Sequence, residues 1–199
     1  MATTRESVDT NTATRTQEEN LLAALTLAFN ADPGIRWYFT SPPTYHRYFP
    51  EFSMAYGGKA FEHDTAYYVG EYVGAALWLP PGVRPEYDEI GAVMQKALSE
   101  EQLVLLDEFI ERIEASHPDE QFWELTVLGV EPVQQRRGYG NLLMEPVLDV
   151  CDREGTPAFL ISSNVRNLPF YLRHGFEIVD TVHLRTMPPF FPMRRDPQG

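Results

Sequence analysis

Phe122-Trp-Glu-Leu-Thr-Val-Leu-Gly-Val130, then Glu131-Pro-Val-Gln-Gln-Arg-Arg-Gly-Tyr-Gly-Asn-Leu-Leu143, is the stretch that decides the fold. Its first half reads as a β-strand from Phe122 to Val130, rich in β-branched and aromatic residues. Glu131-Pro132 turns the chain. Gln135-Arg136-Arg137-Gly138-Tyr139-Gly140 then leads into an apolar-periodic helix carrying Leu142, Leu143, Val147, Val150 and Cys151. A strand that ends on a glycine loop opening a helix presents backbone N–H groups at a positive helix end, which is an anion site suited to phosphates. Pro146 lies inside that helix, where its missing N–H frees the carbonyl of Leu142 and predicts a kink.

Working outward, the pattern continues with a short buried strand at Ala158–Ser162, a polar turn at Asn164–Asn167, a short helix from Leu168 to His174 and a strand from Phe176 to Leu184. A last strand follows around Phe190–Met193. Strand, helix, strand, helix, strand in this order predicts an α/β (α+β) domain with a parallel pairing inside a mixed sheet. Toward the N-terminus, Thr65–Leu79 reads as two strands joined by a tight turn at Gly70-Glu71. Two helices are expected after it, one around Tyr87, Ile90, Met94 and Leu98. The other is capped by Ser99 and Gln102, with Leu103, Leu106, Ile110 and Ile113 on its buried face. Thr16-Gln-Glu-Glu19 has capping-box form and precedes a helix that Asn30-Ala-Asp-Pro-Gly34 is expected to end. The aromatic-rich segment from Trp37 to Tyr56 is broken by Pro42-Pro43, and its second half reads as a further helix.

At 199 residues, 43% hydrophobic and 23% charged, the chain has the size and composition of one globular domain. Residues 1–15 are expected to be a flexible tail or at most a short edge strand, and 16–199 the single domain. A formal net charge of −13 argues against a nucleic-acid partner, which requires clustered basic residues. No apolar run has the length of a membrane span and no signal-peptide pattern opens the chain, so a cytoplasmic protein is expected. One cysteine, Cys151, excludes an internal disulfide, and the five histidines show no metal-ligand spacing, so no metal is expected.

Several known glycine loops fail on residues. A dinucleotide fingerprint would place a third glycine at Leu143 and an acidic residue near Ile161 or Ser162, and no P-loop or Gly-x-Ser-x-Gly run occurs. Gln135-x-x-Gly138-x-Gly140 behind Leu125–Val130, followed by Asn164, Tyr171 and Leu172-Arg-His-Gly-Phe176, resembles instead the acyl-CoA signature and closing motif of the GNAT N-acetyltransferase superfamily. Ala76–Gly82, Asn167–Tyr171 and the Pro/Met/Arg tail are similar to its puromycin N-acetyltransferase branch.

That resemblance implies the GNAT fold: a mostly antiparallel mixed sheet with a splayed parallel strand pair and helices on both faces. It implies acetyl-CoA as co-substrate. A small-molecule primary amine is the expected acceptor, and direct attack in a ternary complex is expected because no Cys or Ser stands as a positioned nucleophile. The protein is expected to be a monomer or homodimer. Cofactor contacts are implied at Leu128, Gly129, Val130, Gln135, Arg136, Arg137, Gly138, Tyr139, Gly140, Asn141, Asn164 and Tyr171. Tyr171 matches the general acid; an unperturbed phenol pKa of about 10 keeps it protonated at neutral pH. Glu124 matches a position used as base in some members. It lies four residues before Leu128, hence on the same face by the two-residue period. Many members carry Glu where this chain has Ile161. Trp37, Tyr38 and Trp123 are candidates for an acceptor pocket. Two other readings stay open: a non-catalytic acyl-CoA sensor, and an acetyltransferase for a protein or peptide amine.

Overall fold

The computed structural model describes residues 9–199. In chain order its elements are β1 (Thr10–Thr12), α1 (Glu18–Phe29), α2 (Pro33–Tyr38), α3 (Pro42–Gly57), β2 (Ala66–Val69), β3 (Gly74–Leu79), α4 (Tyr87–Ala97) and α5 (Glu100–Glu114). They continue with β4 (Trp123–Val130), α6 (Tyr139–Glu154), β5 (Ala158–Ser162), α7 (Leu168–Leu172), β6 (Glu177–Ile178) and β7 (Phe191–Arg195). The seven strands form one sheet ordered β1-β2-β3-β4-β5-β7-β6, antiparallel except for the parallel pair β4–β5.

Each face of the sheet carries its own core. On one, α1 to α5 pack Leu25, Tyr45, Phe49, Met94, Leu105, Leu106 and Phe109 over Leu77, Leu79 and Val127. On the other, α6 and α7 pack Leu143, Met144, Val147, Cys151 and Tyr171 over Ala76, Trp78, Trp123, Leu125 and Leu160. Among the described residues no helix is long and apolar enough to cross a membrane.

Several boundaries differ from the sequence reading, each for a local reason. The first eight residues of the expected tail lie outside the described residues; within the rest, Thr10–Thr12 forms the short edge strand allowed for it, paired from Thr10↔Val69 to Thr12↔Tyr67. The N-terminal cap falls two residues earlier than Thr16: the Thr14 N–H donates to Gln17 Oε1 at 2.8 Å, and a 3-10 turn leads into α1. Asp32-Pro33 starts a helix rather than only ending one. Its aspartate caps α2 by accepting from the Gly34 and Ile35 N–H groups at 3.0 and 3.1 Å, and proline at the first helical position needs no donor. Ser41 and Pro42 open α3 in the same manner.

On α5 the buried stripe is Leu105, Leu106, Phe109 and Ile113, while Ile110 is 42% exposed. Phe109 turns the helix because its ring packs on Phe190, 4.8 Å between centroids. The strand expected over Phe176–Leu184 is reduced to β6 and one bridge, Val182↔Phe190.

Around Pro146 the sheet supplies hydrogen-bond donors to the helix. The carbonyl of Leu142, deprived of its helical donor, accepts from Thr10 Oγ1 at 2.6 Å. The next carbonyl, Leu143, accepts from Trp78 Nε1 at 3.3 Å. The proline therefore fastens α6 to the sheet edge. Thr10→Val keeps the shape of the side chain and removes the donor, leaving a partly buried carbonyl bare. It is expected to cost about 1 kcal/mol, and thermal melting should show a midpoint lower by roughly 2–4 °C.

Candidate active site

β4 holds the centre of the site. It pairs with β3 along its length to Gly74↔Val130, but with β5 only over Trp123↔Ala158, Glu124↔Phe159 and Leu125↔Leu160. Beyond Leu125 the two parallel strands diverge. The β5-side edge of β4 is thus left with open backbone groups down to Val130, a ready template for an extended polar chain.

A β-bulge lies at the start of this divergence. Leu77 pairs with Val127 and Trp78 with Leu125, so Thr126 is the extra residue, and its hydroxyl donates to the Leu77 carbonyl at 2.9 Å. The bulge breaks the two-residue alternation and corrects one expectation. Glu124 and Leu128 do not share a face: Leu128 and Val130 pack with α6, whereas Glu124 points toward α3. Gly129 faces the α1 side, where a Cβ would come within 2.7 Å of the Ala28 Cβ.

At the strand's end, Gln135 Nε2 donates to the Val130 carbonyl at 3.1 Å and ties the loop back to β4. Arg136 adopts a left-handed conformation with φ 63°, and Gly138, the N-cap of α6, has φ 93°. The N–H groups of Gly138, Tyr139 and Gly140 have no intrahelical partner, and among the described residues none donates to a protein acceptor. Arg136 and Arg137 are exposed beside them, Tyr139 is half-buried, and Asn141 turns inward with its N–H on the Gly138 carbonyl at 3.0 Å.

The two glycines serve different purposes. Nothing lies within 4 Å of a Cβ built on Gly138, so that position is glycine for its backbone conformation and leaves space above the loop. A Cβ on Gly140 would sit 2.9 Å from the ring of Phe170. That contact seats α7 against the first turn of α6. It brings the two sequence motifs together, since Tyr171 follows Phe170 and their rings lie 5.2 Å apart.

Tyr171 is 7% exposed. Burial, then the charge of Asp32, hold its phenol protonated well above the ordinary tyrosine range. Asn164, two residues beyond β5, caps the turn that leads to α7, its Oδ1 accepting from the Arg166 N–H at 3.1 Å. Asp32 reaches this turn from the other side. Its carboxyl is raised by burial, against which the Ile35 N–H, the Ser163 side chain, the Gly34 N–H and the Asn164 side chain favour the charged form. A Cβ on Gly34 would lie 2.7 Å from that of Ser163, so α2 abuts the segment that presents Asn164.

Glu124 is 3% exposed in the middle of the sheet, so no edge position accounts for it. Tyr56 donates to its Oε1 at 3.1 Å, and Oε2 is buried without a partner. Burial raises the carboxyl to about 7, while the Tyr56 hydrogen bond and the Arg84 charge pull it down. Ile161, half-buried against the α1–α5 core, supplies no second carboxylate from β5.

The acceptor-side candidates divide. Trp37 and Tyr38 lie on α2, and rings run from Trp37 to Tyr38 (5.5 Å), Tyr38 to Phe52 (6.2 Å) and Phe52 to Tyr56 (5.7 Å), ending at Glu124. Trp123 is not part of this row. It packs on the α6 face, opposite Glu124. Sequence reasoning gave Tyr56 no role beyond a candidate substrate wall, and it missed Asp32 and Phe170. Tyr56 was one ring among many in an aromatic segment, and Asp32 was read as a helix stop. Among the described residues no group of His, Cys, Asp and Glu side chains could hold a metal.

Residues 89–197, more than half of the chain, match the family model of the acetyltransferase (GNAT) domain, and the chain belongs to that family. An uncharacterized N-acetyltransferase of Schizosaccharomyces pombe is 28% identical over 130 residues, 58% of this chain and 52% of the relative. The chain thus spans about half the length of the curated relative it matches. A polyamine N-acetyltransferase of Drosophila melanogaster, which forms N-acetylagmatine, has a similar structure (TM-score 0.69, 17% identity, 94% of this chain and 98% of that one). So does a protein described as histone acetyltransferase HPA2 and related acetyltransferase from Corynebacterium glutamicum (TM-score 0.68, 19% identity, 98% of both chains). At these identities the likeness shows the fold.

Proposed function

We propose that this protein transfers the acetyl group of acetyl-CoA to the primary amine of a small molecule, by direct attack while both substrates are bound. The observation that carries this reading is Glu124, a buried carboxyl raised to about 7 with one oxygen unpartnered, one residue before β4 parts from β5. Residues of the loop and the open strand edge fit the cofactor. The N–H groups of Gly138 to Gly140, with Gln135, Arg136, Arg137 and Asn141 around them, suit a pyrophosphate. Leu128, Gly129 and Val130 offer backbone groups to a pantetheine arm, and Asn164 stands across the splay.

Bound there, acetyl-CoA supplies an acyl carbon activated as a thioester. Glu124 Oε2 takes one proton of the incoming ammonium, freeing the nitrogen lone pair; the N–C bond forms as the C–S bond breaks, Tyr171 gives a proton to the departing sulfur, and the second proton shed by the nitrogen as it becomes an amide restores the Tyr171 phenol. A carboxyl near 7 is half ionised at neutral pH, where a general base is most effective. Direct transfer is favoured because Cys151, the single cysteine, is 0% exposed in the core with its thiol pushed up to about 12 by burial. A small acceptor is favoured over a protein because Glu124 lies behind the aromatic row of α2 and α3. The amines of neighbours such as the Drosophila enzyme belong to the same class.

The test is acetyl-CoA turnover over a panel of primary amines, followed as free thiol. Tyr171→Phe is expected to lower kcat by about 10²-fold, with KM for acetyl-CoA nearly unchanged. An effect at the low end is expected because a thiolate departs tolerably without full protonation. Unchanged kcat in that variant would remove Tyr171 from the mechanism. Acetylation of protein amines alone, seen by mass spectrometry with every small amine inert, would replace the acceptor class.

A further inference from the structure

The groups that face Glu124 can be enumerated from the elements packed on it. Its strand neighbours are apolar, Leu79 on β3 and Phe159 on β5. From α3 comes Tyr56, from α4 Tyr87, and from the segment before α4 Arg84. Arg84 is stacked on the Phe122 ring, its guanidinium carbon 4.9 Å from the centroid, and among the described residues Glu124 has no ion pair. Tyr56 is the residue that touches the carboxyl.

Its own position is closely fixed. The ring stacks on Phe52 with 30° between planes, and the next residue, Gly57, is pressed onto the bulge. A Cβ there would fall 2.3 Å from Thr126 Oγ1 and 2.9 Å from the Leu77 Cβ. The end of α3 and the bulge of β4 thus locate the Tyr56 hydroxyl relative to Glu124. Burial and the carboxylate keep that phenol far above the ordinary tyrosine range, so it acts toward Glu124 as a donor.

We propose that Tyr56 is a positioning residue for the base: by donating to Oε1 it fixes the orientation of the Glu124 carboxyl and leaves Oε2 as the oxygen that receives the amine's proton. The same bond favours the ionised carboxylate and opposes its burial. This rests on the reading of Glu124 as base.

Tyr56→Phe keeps the ring and deletes the donor. Without it the acid limb of the pH–kcat profile is expected to move up by about one pH unit. This would lower kcat by about fivefold at neutral pH and progressively less in alkaline buffer, with KM for acetyl-CoA unchanged. Tyr87→Phe is expected to leave the limb in place. A fall in kcat that is equal at every pH, with the limb unmoved, would overturn the proposal. Glu124→Gln separates the two claims. If it abolishes the limb while Tyr56→Phe leaves it alone, the base stands and Tyr56 does not; if it retains the limb, the base reading itself fails. Should Tyr56→Phe turn over too slowly for a profile, carbon NMR titration of the Glu124 carboxyl reads the same shift directly. A carboxyl that titrates as in the parent protein would overturn the proposal.

Discussion

Glu124→Gln is expected to lower kcat by about 10³-fold and, at the same time, to make the protein more stable above neutral pH. Both follow from one burial. The carboxyl is raised from 4.5 to about 7, chiefly because its charge is taken out of water in the middle of the sheet. A raised carboxyl binds its proton more tightly in the folded than in the unfolded chain. Stability from this site is therefore fully present below about 4.5, falls as pH rises between about 4.5 and 7, and stays low above that. The accumulated penalty is ~3 kcal/mol. Glutamine carries no charge to desolvate, and its amide oxygen can accept from Tyr56 as Oε1 does. The variant should melt roughly 5–10 °C higher in mildly alkaline buffer and almost level with the parent near pH 4. Melting curves across pH, beside turnover in the same buffers, check this. Equal melting points throughout would mean that Glu124 is not a buried, titrating group, and a retained kcat would mean that it is not the base.

The site was legible where it is written in local sequence and not where it depends on register or on packing. Gly138 and Asn164 act through backbone conformation and caps set within a few residues, so the strand–loop–helix and the splayed pair were expected from the sequence and the resemblance it carries. The bulge at Thr126 has no such signature. It exists because Leu77 pairs with Val127 and Trp78 with Leu125, and it alone moves Glu124 to the face opposite Leu128. Asp32-Pro33 shows a different difficulty. The residues that stop a helix are those that start the next, and their order in space decides which occurs. Tyr56 could not be told from Tyr45 or Tyr48 by spacing. Tyr45 donates to the Thr26 carbonyl at 2.6 Å, whereas Tyr56 found the one buried carboxylate in reach.

Arg195→Ala should cost about 2–3 kcal/mol, a fall of roughly 5–10 °C in melting temperature. Its neighbour supplies the contrast. Arg194 is paired with Glu120 and Asp196 at the surface, where its side chain is 32% exposed, so Arg194→Ala is expected to cost less than about 1 kcal/mol. Successive residues of β7 point to opposite faces, and Arg195 points inward, 3% exposed. Both of its terminal nitrogens reach Asp152 at 2.7 Å, and Nε donates to the His174 carbonyl at 2.8 Å. One guanidinium thus joins α6, β7 and the turn after α7. Truncation would remove both charge-assisted bonds to Asp152, which keeps the Gln198 N–H at 2.6 Å and partial contact with solvent, and would leave the His174 carbonyl without its donor. The Arg195 hydrogen bonds hold Asp152 below the ordinary aspartate range, so this stabilisation is present at neutral pH and lost as pH falls through the depressed value. The difference between the two arginine variants should shrink accordingly in acid. His174, whose ring nitrogen Nδ1 lies 2.7 Å from the Phe170 carbonyl, ends the turn that holds Tyr171 against α6. Arg195→Ala protein that remains folded at low temperature should therefore also lose kcat, because Tyr171, the proposed general acid, is kept in register with α6 through this guanidinium. Equal destabilisation by the two arginine variants, or an Arg195→Ala enzyme with full kcat, would show that the register is set elsewhere.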